Sequence, residues 1–245
     1  MRLLQVRDLE ARHGLLNAVR GISFGLDEGE TIALVGANGA GKTTMLRTIA
    51  GAHSSAGGQV LLDGTDVTHL PAHRRVAEGL ALVPEGRRLF PDMTVMENLL
   101  VAGRRARPGD WGLERVLEAF PMLGALVNKR ASELSGGQQQ ATAIARAVMT
   151  NPRVLLIDEL SLGLSPVAVD AVYESVTAMI SGGATVLLVE QDLQRAMSVA
   201  TRVLCVLEGR VVLEGSTADV SRDQITSAYF GVDQTAPYTS HPEKA

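Results

Sequence analysis

Gly36-Ala37-Asn38-Gly39-Ala40-Gly41-Lys42-Thr43-Thr44 follows an apolar run at residues 31–35 and fits the phosphate-binding pattern G-x-x-x-x-G-K-[ST]. In this pattern the glycines let backbone N–H groups turn toward a polyphosphate, Lys42 reaches the terminal phosphates, and the Thr43 hydroxyl can ligate Mg²⁺. The apolar spacing after the loop predicts a helix, whose N-terminus adds partial positive charge. A plain glycine-rich turn is the alternative, which a preceding strand and a following helix disfavour. We therefore predict that residues 36–44 bind nucleotide.

The bulk composition narrows the class of protein. A chain of 245 residues suffices for one large α/β domain, or for a core with a small inserted subdomain. The net charge of −4 gives no reason to expect nucleic acid as a partner. Cys205 is the only cysteine, which excludes an intramolecular disulfide and fits a reducing cytosol. No apolar run is long enough to span a membrane, so we expect a soluble protein whose membrane role comes through partners.

Apolar patterning predicts strands of two kinds. Residues 1–35 and 59–70 are expected to form short antiparallel strands beside the phosphate-loop strand. The apolar runs at 154–157 and 185–189 suit parallel strands buried on both faces, joined by a helical crossover at about 166–180. The fold class that follows is α/β.

The remaining segments are predicted to be helical, hairpin or disordered. From about 93 to 150 the apolar residues recur at helix spacing, which indicates a helical subdomain. Residues 203–214 are expected to form a terminal hairpin in which Cys205 is a buried strand thiol. From about Thr235 the chain has two prolines and little apolar content, which predicts disorder.

The strand at 154–157 ends in two acids, Asp158 and Glu159. Alone this is a weak signal, because strands often end in a solvated carboxylate. Together with a phosphate loop, the pair predicts that Asp158 holds Mg²⁺, directly or through water, and that Glu159 polarises the attacking water. The catalytic candidates at this stage are Glu159 and Lys42.

Residues Leu134-Ser135-Gly136-Gly137-Gln138 precede a helical pattern. Ser-Gly-Gly in this place is either an ordinary helix cap or an anion site made of a hydroxyl, flexible backbone amides and a helix dipole. The sequence leaves both interpretations open.

The order of these three motifs resembles that of the nucleotide-binding subunits of ATP-binding cassette (ABC) transporters, with Walker A at 36–44, the LSGGQ signature at 134–138 and Walker B at 154–159. The resemblance covers nearly everything before the tail. It implies a P-loop NTPase (RecA-like) core with an N-terminal antiparallel β subdomain and an inserted α-helical subdomain at about 86–150. Residues 1–235 would form a single nucleotide-binding domain, and 236–245 a disordered tail.

The resemblance also implies partners and a cofactor. Two such subunits sandwich two ATP molecules with Mg²⁺, and Ser135, Gly136, Gly137 and Gln138 of one subunit contact the terminal phosphate held by the other. The second ATPase would be a copy of this chain or a related protein. Two membrane permeases, and indirectly an external substrate-binding protein, complete the assembly. The chain would lie in the cytoplasm, on the inner face of the membrane, and bind no nucleic acid.

Three positions of the expected ATP site depart from the usual family pattern, besides Leu160 in place of the usual proline and a variant D-loop at 161–164. Glu85 stands where most members have a glutamine that touches Mg²⁺, and a carboxylate can still ligate the ion, although a surface ion-pair cluster with Arg87 or Arg88 is the alternative. Gln191 replaces the switch histidine and can hydrogen-bond but not become cationic. His13 falls where an aromatic ring commonly stacks on adenine, and an exposed loop histidine is the alternative.

The segments at 84–99, 161–166 and 189–191 are similar to those of the LivF-type ATPase subunit of branched-chain amino acid importers. The alternatives are an amide or urea importer and a lipid or polysaccharide exporter, because nothing in an ATP site encodes the direction of transport. A different class, a nucleotide-gated dimerisation module without productive hydrolysis, also stays open because of Gln191.

Overall fold

Two β-sheets organise the chain in the computed structural model, which describes residues 2–104 and 106–230. The strands of these residues are β1 (Arg2–His13), β2 (Leu16–Asp27), β3 (Thr31–Val35), β4 (Ser55–Leu62), β5 (Thr65–Asp66), β6 (Leu80–Val83), β7 (Val154–Asp158), β8 (Thr185–Val189), β9 (Arg202–Leu207) and β10 (Arg210–Ser216). The larger sheet has the order β10-β9-β3-β8-β7-β6, and the smaller has the order β2-β1-β4-β5.

The larger sheet is parallel except at one edge. Every residue of β3, β7 and β8 is buried, as predicted for strands covered on both faces. The strand β9 runs parallel to β3, and β10 returns antiparallel to β9 as the predicted hairpin. Cys205 lies fully buried within β9. The phosphate-loop strand β3 therefore lies inside the parallel sheet, between β8 and β9.

The N-terminal strands are longer than expected and do not pair with β3. Both β1 and β2 span 12 residues and pair with each other, and β1 also pairs with β4, all antiparallel. The prediction that they lie beside the phosphate-loop strand is wrong at the level of pairing. The reason is their mixed burial, since charged side chains such as Arg7 and Arg20 must face water, which suits a separate, half-solvated sheet.

Helices cover both faces of the larger sheet. They are α1 (Lys42–Ile49), α2 (Ala72–Glu78), α3 (Val95–Gly103), α4 (Leu113–Ala119), α5 (Pro121–Gly124), α6 (Gly136–Val148), α7 (Pro166–Ser181), α8 (Leu193–Val199) and α9 (Arg222–Phe230). The predicted helix after the phosphate loop is α1, and the predicted crossover between β7 and β8 is α7.

The helix α1 lies between the two sheets. Its apolar side chains Met45, Leu46 and Ile49 are fully buried in a cluster that also contains Leu4 of β1 and Leu34 of β3. Each such buried side chain contributes about 1.5–3 kcal/mol of hydrophobic stabilisation. This packing holds the start of α1, and with it the phosphate loop, rigidly against the sheet.

The opposite face of the larger sheet carries the helices between β6 and β7. Val95, Val116 and Phe120 are fully buried in one cluster with residues of α6 and α7, as their helical spacing predicts. Leu100 of α3, which shares the apolar pattern of 93–150, is 45% exposed and faces solvent instead.

The predicted tail at 236–245 lies outside the described residues. Within the described residues, no helix combines the length and the apolar character that crossing a membrane requires. The assignment of 1–235 to one domain stays a prediction.

Candidate nucleotide site

The phosphate loop follows β3 at the edge where the carboxyl ends of β3, β7 and β8 meet. Gly36 and Gly41 have φ angles of 150° and 103°, which L side chains rarely adopt. A Cβ atom at Gly36 would overlap the carbonyl oxygen of Val206, and one at Gly41 would overlap that of Ala18. Both positions therefore require glycine for the turn and for the close approach of neighbouring backbone.

Lys42 begins α1 with its side chain folded onto the loop that precedes it. The Nζ atom donates to the carbonyl oxygens of Gly36 at 2.6 Å and Ala37 at 2.9 Å. Burial lowers the pKa of Lys42 below its usual value, while the charges of Glu159 and Asp158 oppose that shift. The ammonium group is thus held at the loop by two carbonyl oxygens, and the nearby carboxylates favour its charged form.

Thr43 and Asp158 form a contact that joins the loop to β7. The Thr43 hydroxyl donates to Oδ1 of Asp158 at 3.0 Å. Burial raises the pKa of Asp158 to about 6, against the lowering effect of the Thr43 hydrogen bond, and the charges of Glu159 and Glu85 raise it further. Asp158 is only 1% exposed, so its ionised form lacks a full set of partners in the protein alone.

The oxygen donors of Thr43 and Asp158 fit Mg²⁺, which phosphates help to bind, better than they fit a metal ion coordinated by protein side chains alone. Within residues 2–104 and 106–230 there is no group of three or more His, Cys, Asp or Glu side chains that could hold a metal. Mg²⁺ is usually bound by one or two carboxylates together with substrate phosphates. Thr43 and Asp158, next to a phosphate loop, provide hard oxygen donors of this kind.

The raised pKa of Asp158 predicts a stability effect in the Mg²⁺-free, nucleotide-free protein. Because the folded-state pKa of about 6 exceeds the ordinary value of 3.8, the protonated acid is favoured by folding, and this stabilisation is lost as the pH rises through about 6. We expect Asp158→Asn, which is neutral at every pH, to raise the free energy of unfolding near neutral pH by about 1–3 kcal/mol. Urea unfolding of both proteins measures the difference.

The same comparison at about pH 4 tests the direction of this pH dependence, because the increase in the free energy of unfolding from Asp158→Asn should then nearly vanish. Asp92→Asn, at an exposed position, is the matched control and should change stability little at either pH. If Asp158→Asn stabilised the protein equally at both pH values, the carboxylate charge would not be the cause of the stability difference.

Glu159 and Gln191 meet directly at the carboxyl edge of the sheet. The Gln191 amide Nε2 donates to Oε1 of Glu159 at 2.8 Å. Glu159 has φ 56°, in the left-handed region, and its backbone N–H donates to the carbonyl of Val189 at 3.2 Å. The left-handed turn aims the carboxylate away from β7 and toward the loop that carries Gln191.

His13 lies against the beginning of α1. Its Nε2 atom is 3.1 Å from the Thr44 hydroxyl oxygen, and its ring centroid is 4.7 Å from that of His53 with a 45° tilt. Sequence reasoning missed His53, which follows α1 in a loop without any motif. Only the packing of β1 against the end of α1 brings the second imidazole here.

The signature residues cap α6. Ser135 and Gln138 form a reciprocal capping box, with the backbone N–H of Gln138 donating to Ser135 Oγ at 3.4 Å and that of Ser135 to Gln138 Oε1 at 3.0 Å. A Cβ atom at Gly137 would lie 2.7 Å from the Cβ of Ala168 on α7. Among the hydrogen bonds of the described residues, none joins 134–138 to 36–44.

Glu85 is exposed beyond the end of β6. No ion pair found within the described ranges includes it, so the surface ion-pair cluster is not formed. Arg87 instead donates to Gln139 on α6 at 3.0 Å. The charge of Glu85 acts on Asp158, which is consistent with a position on the metal side of the site.

A mainly parallel sheet with a phosphate loop after β3 and two acids at the end of β7, on the other side of β8, defines a P-loop nucleotide-binding protein. The sequence model of the ABC transporter family matches residues 19–161, more than half of the chain. The chain therefore belongs to the ABC transporter family, as an ATP-binding subunit of the class that hydrolyses ATP to drive transport. The predicted family and fold class are confirmed.

Similar proteins cover nearly the whole chain. The chain is 36% identical over 232 residues to the high-affinity branched-chain amino acid transport ATP-binding protein BraG of Pseudomonas aeruginosa, a match that covers 94% of this chain and 100% of BraG. It is 32% identical to the probable branched-chain amino acid transport ATP-binding protein LivF of Archaeoglobus fulgidus, over 89% of this chain and 94% of LivF.

Among solved structures, the fold resembles the ATP-binding cassette MJ0796 in a dimeric post-hydrolysis state bound to ADP and Pi. The TM-score is 0.76 and the identity 26%, over 87% of this chain and 98% of that one.

Proposed function

We propose that this chain hydrolyses ATP to drive the import of branched-chain amino acids. The proposal that the cargo is a branched-chain amino acid rests on the likeness to BraG, which extends over the full length of that protein. The observation that favours productive hydrolysis is the Glu159–Gln191 contact at 2.8 Å, because it supplies a base and an orienting amide side by side. A dimerisation module without hydrolysis would need neither.

In this proposal each side chain of the site has one task. Backbone amides of residues 36–44 and the Lys42 ammonium bind the terminal phosphates, and Thr43 and Asp158 would hold Mg²⁺ with Glu85 nearby. The ion, when bound, neutralises phosphate charge. Glu159 accepts a hydrogen bond from the attacking water and orients it in line with the terminal phosphate.

The remaining residues bind the nucleotide base and complete the site. His13, beside Thr44, stacks its imidazole on adenine. Ser135, Gly136, Gly137 and Gln138 contact the terminal phosphate bound by a second ATPase subunit, which agrees with their separation from the phosphate loop of their own chain. The backbone amides at the start of α6 provide the donors for this contact.

The assembly is proposed from the same relationships. A second cassette, identical or related, would close on the nucleotides, and two permeases would anchor the pair to the inner face of the cell membrane. An external substrate-binding protein would deliver the amino acid.

Gln191 gives a prediction of its own. We expect Gln191→Ala to slow ATP turnover about tenfold because the donor to Glu159 is lost, and Gln191→His to stay near the parent rate because an imidazole N–H can replace the amide. Steady-state phosphate release from the assembled transporter measures both. Unchanged rates in both variants would mean that Gln191 has only a structural role.

The cargo is tested by uptake of labelled leucine in source cells that carry Glu159→Gln on the chromosome. We expect uptake to be lost and to return when the parent gene is restored. Undiminished uptake, with the variant protein present and other leucine systems deleted, would reject leucine as the cargo. Amides, urea and exported lipids or polysaccharides would then be assayed in the same strains.

A further inference from the structure

Glu190 is a buried acid that the mechanism above does not use. It follows β8 directly and is 1% exposed. Its Oε1 atom accepts a hydrogen bond from the backbone N–H of Ser161 at 2.9 Å. Its Oε2 atom accepts from the Ser161 hydroxyl and from the backbone N–H of Gln191, both at 2.9 Å, and from that of Asp192 at 3.5 Å. One carboxyl group therefore bonds to two different loops.

The bonding pattern requires a group with acceptors only. Three of the four partners are backbone N–H groups, which cannot accept, and the fourth is a hydroxyl. A carboxylate satisfies all of them, whereas a primary amide would direct an NH₂ group at other donors. A buried donor left without an acceptor is costly, so Glu190 is specified by its surroundings.

The two loops that Glu190 joins are those that carry the groups proposed to act on water. Ser161 lies two residues after Glu159, and Gln191 is the next residue after Glu190. Between the same two loops, the Gln191 side chain donates to Glu159 at 2.8 Å. The two loops are therefore joined twice. One link is the contact between the Gln191 and Glu159 side chains, and the other runs from Ser161 through the Glu190 carboxylate to the Gln191 backbone.

We propose that Glu190 is a positioning residue for ATP hydrolysis: by binding both loops it fixes the distance between Glu159 and Gln191. This inference rests on the proposed ATPase function. A shift of about 1 Å in a catalytic group can cost on the order of 100-fold in rate, so a clamp at this place affects the chemical step more than substrate binding. Loss of the Glu190 carboxylate should therefore lower kcat and change KM for ATP little.

The test is a double-mutant cycle in the assembled transporter. We expect Glu190→Gln to lower kcat by up to about tenfold, no more than the loss of the Gln191 side chain itself, with KM changed less than about twofold. In a Gln191→Ala background the same substitution should cost much less, because the contact that it positions is already absent. Glu190→Asp, which keeps the charge but is shorter, should recover part of the rate, and Glu174→Gln, at an exposed site on α7, should match the parent.

Amide hydrogen exchange supplies a readout that needs no turnover. Glu190→Gln should speed exchange at Ser161 and at Gln191 together, while Ser161→Ala should affect mainly the first loop. A parent-like kcat in Glu190→Gln, or equal losses in the two backgrounds, would overturn the inference and leave the ATPase assignment intact. A parent complex that releases no phosphate would overturn the proposed function, and the positioning role of Glu190 with it.

Discussion

Glu159→Gln is expected to reduce ATP turnover by about 10²–10³-fold while ATP binding is retained. The substitution keeps the size of the side chain and one oxygen, so the hydrogen bond from Gln191, now 2.8 Å long, can persist. What is lost is the negative charge that, in the proposed mechanism, orients and polarises the attacking water. Loss of that charge also leaves Lys42 and the phosphate loop in place, because neither depends on Glu159 for its backbone position.

The measurement is phosphate release from the assembled complex under multiple and single turnover, together with equilibrium binding of ATP. Glu118→Gln, which changes an exposed acid of α4, serves as the matched control and should behave as the parent. Turnover of Glu159→Gln within about twofold of the parent would remove Glu159 from the mechanism.

Lys42→Met is expected to remove most of the nucleotide affinity. Methionine preserves much of the apolar stem at a position that is 5% exposed, so the loop keeps its packing. The charge at the terminal phosphates is lost, and one hydrogen bond to a charged group is worth about 1.5–3 kcal/mol, or roughly 10- to 100-fold in affinity. Turnover at limiting ATP should fall by at least that factor.

The effect is read from the shift in Tm that saturating ATP produces. In the parent, ATP raises Tm because it binds the folded state, and in Lys42→Met this shift should be about half of the parent's or less at the same ATP concentration. The Tm without ATP should not fall, since burial disfavours the ammonium that is removed. Lys129→Met, at an exposed position, is the control. An ATP-induced shift equal to that of the parent would contradict the role of Lys42.

Much of the site could be predicted from the sequence because it lies in short, contiguous segments. The phosphate loop at 36–44 follows β3 directly, and Asp158 is the last residue of β7 with Glu159 next to it. Parallel strands place their carboxyl ends at one edge of the sheet. The structure agrees, with Thr43 and Asp158 3.0 Å apart. Local spacing alone thus indicated which side chains share the phosphate site.

Strand pairing was not predictable in the same way. Residues 1–35 were expected beside the phosphate-loop strand, but β3 pairs with β8 and β9, which come from the far end of the chain. Which strands pair depends on which of them can be covered by helices on both faces of the sheet. This is a property of the whole set of helices rather than of any one segment.

By itself the sequence determined the class of this protein, the phosphate loop and the two acids at the end of β7, because each of these is a local pattern with a local physical meaning. The tertiary structure alone decided that His53 lies against His13, that Gln191 donates to Glu159, and that Glu190 binds two loops. These contacts join segments that are about 30 to 40 residues apart in the chain. Their formation depends on sheet register and helix packing, which fix distances between residues that no local pattern relates.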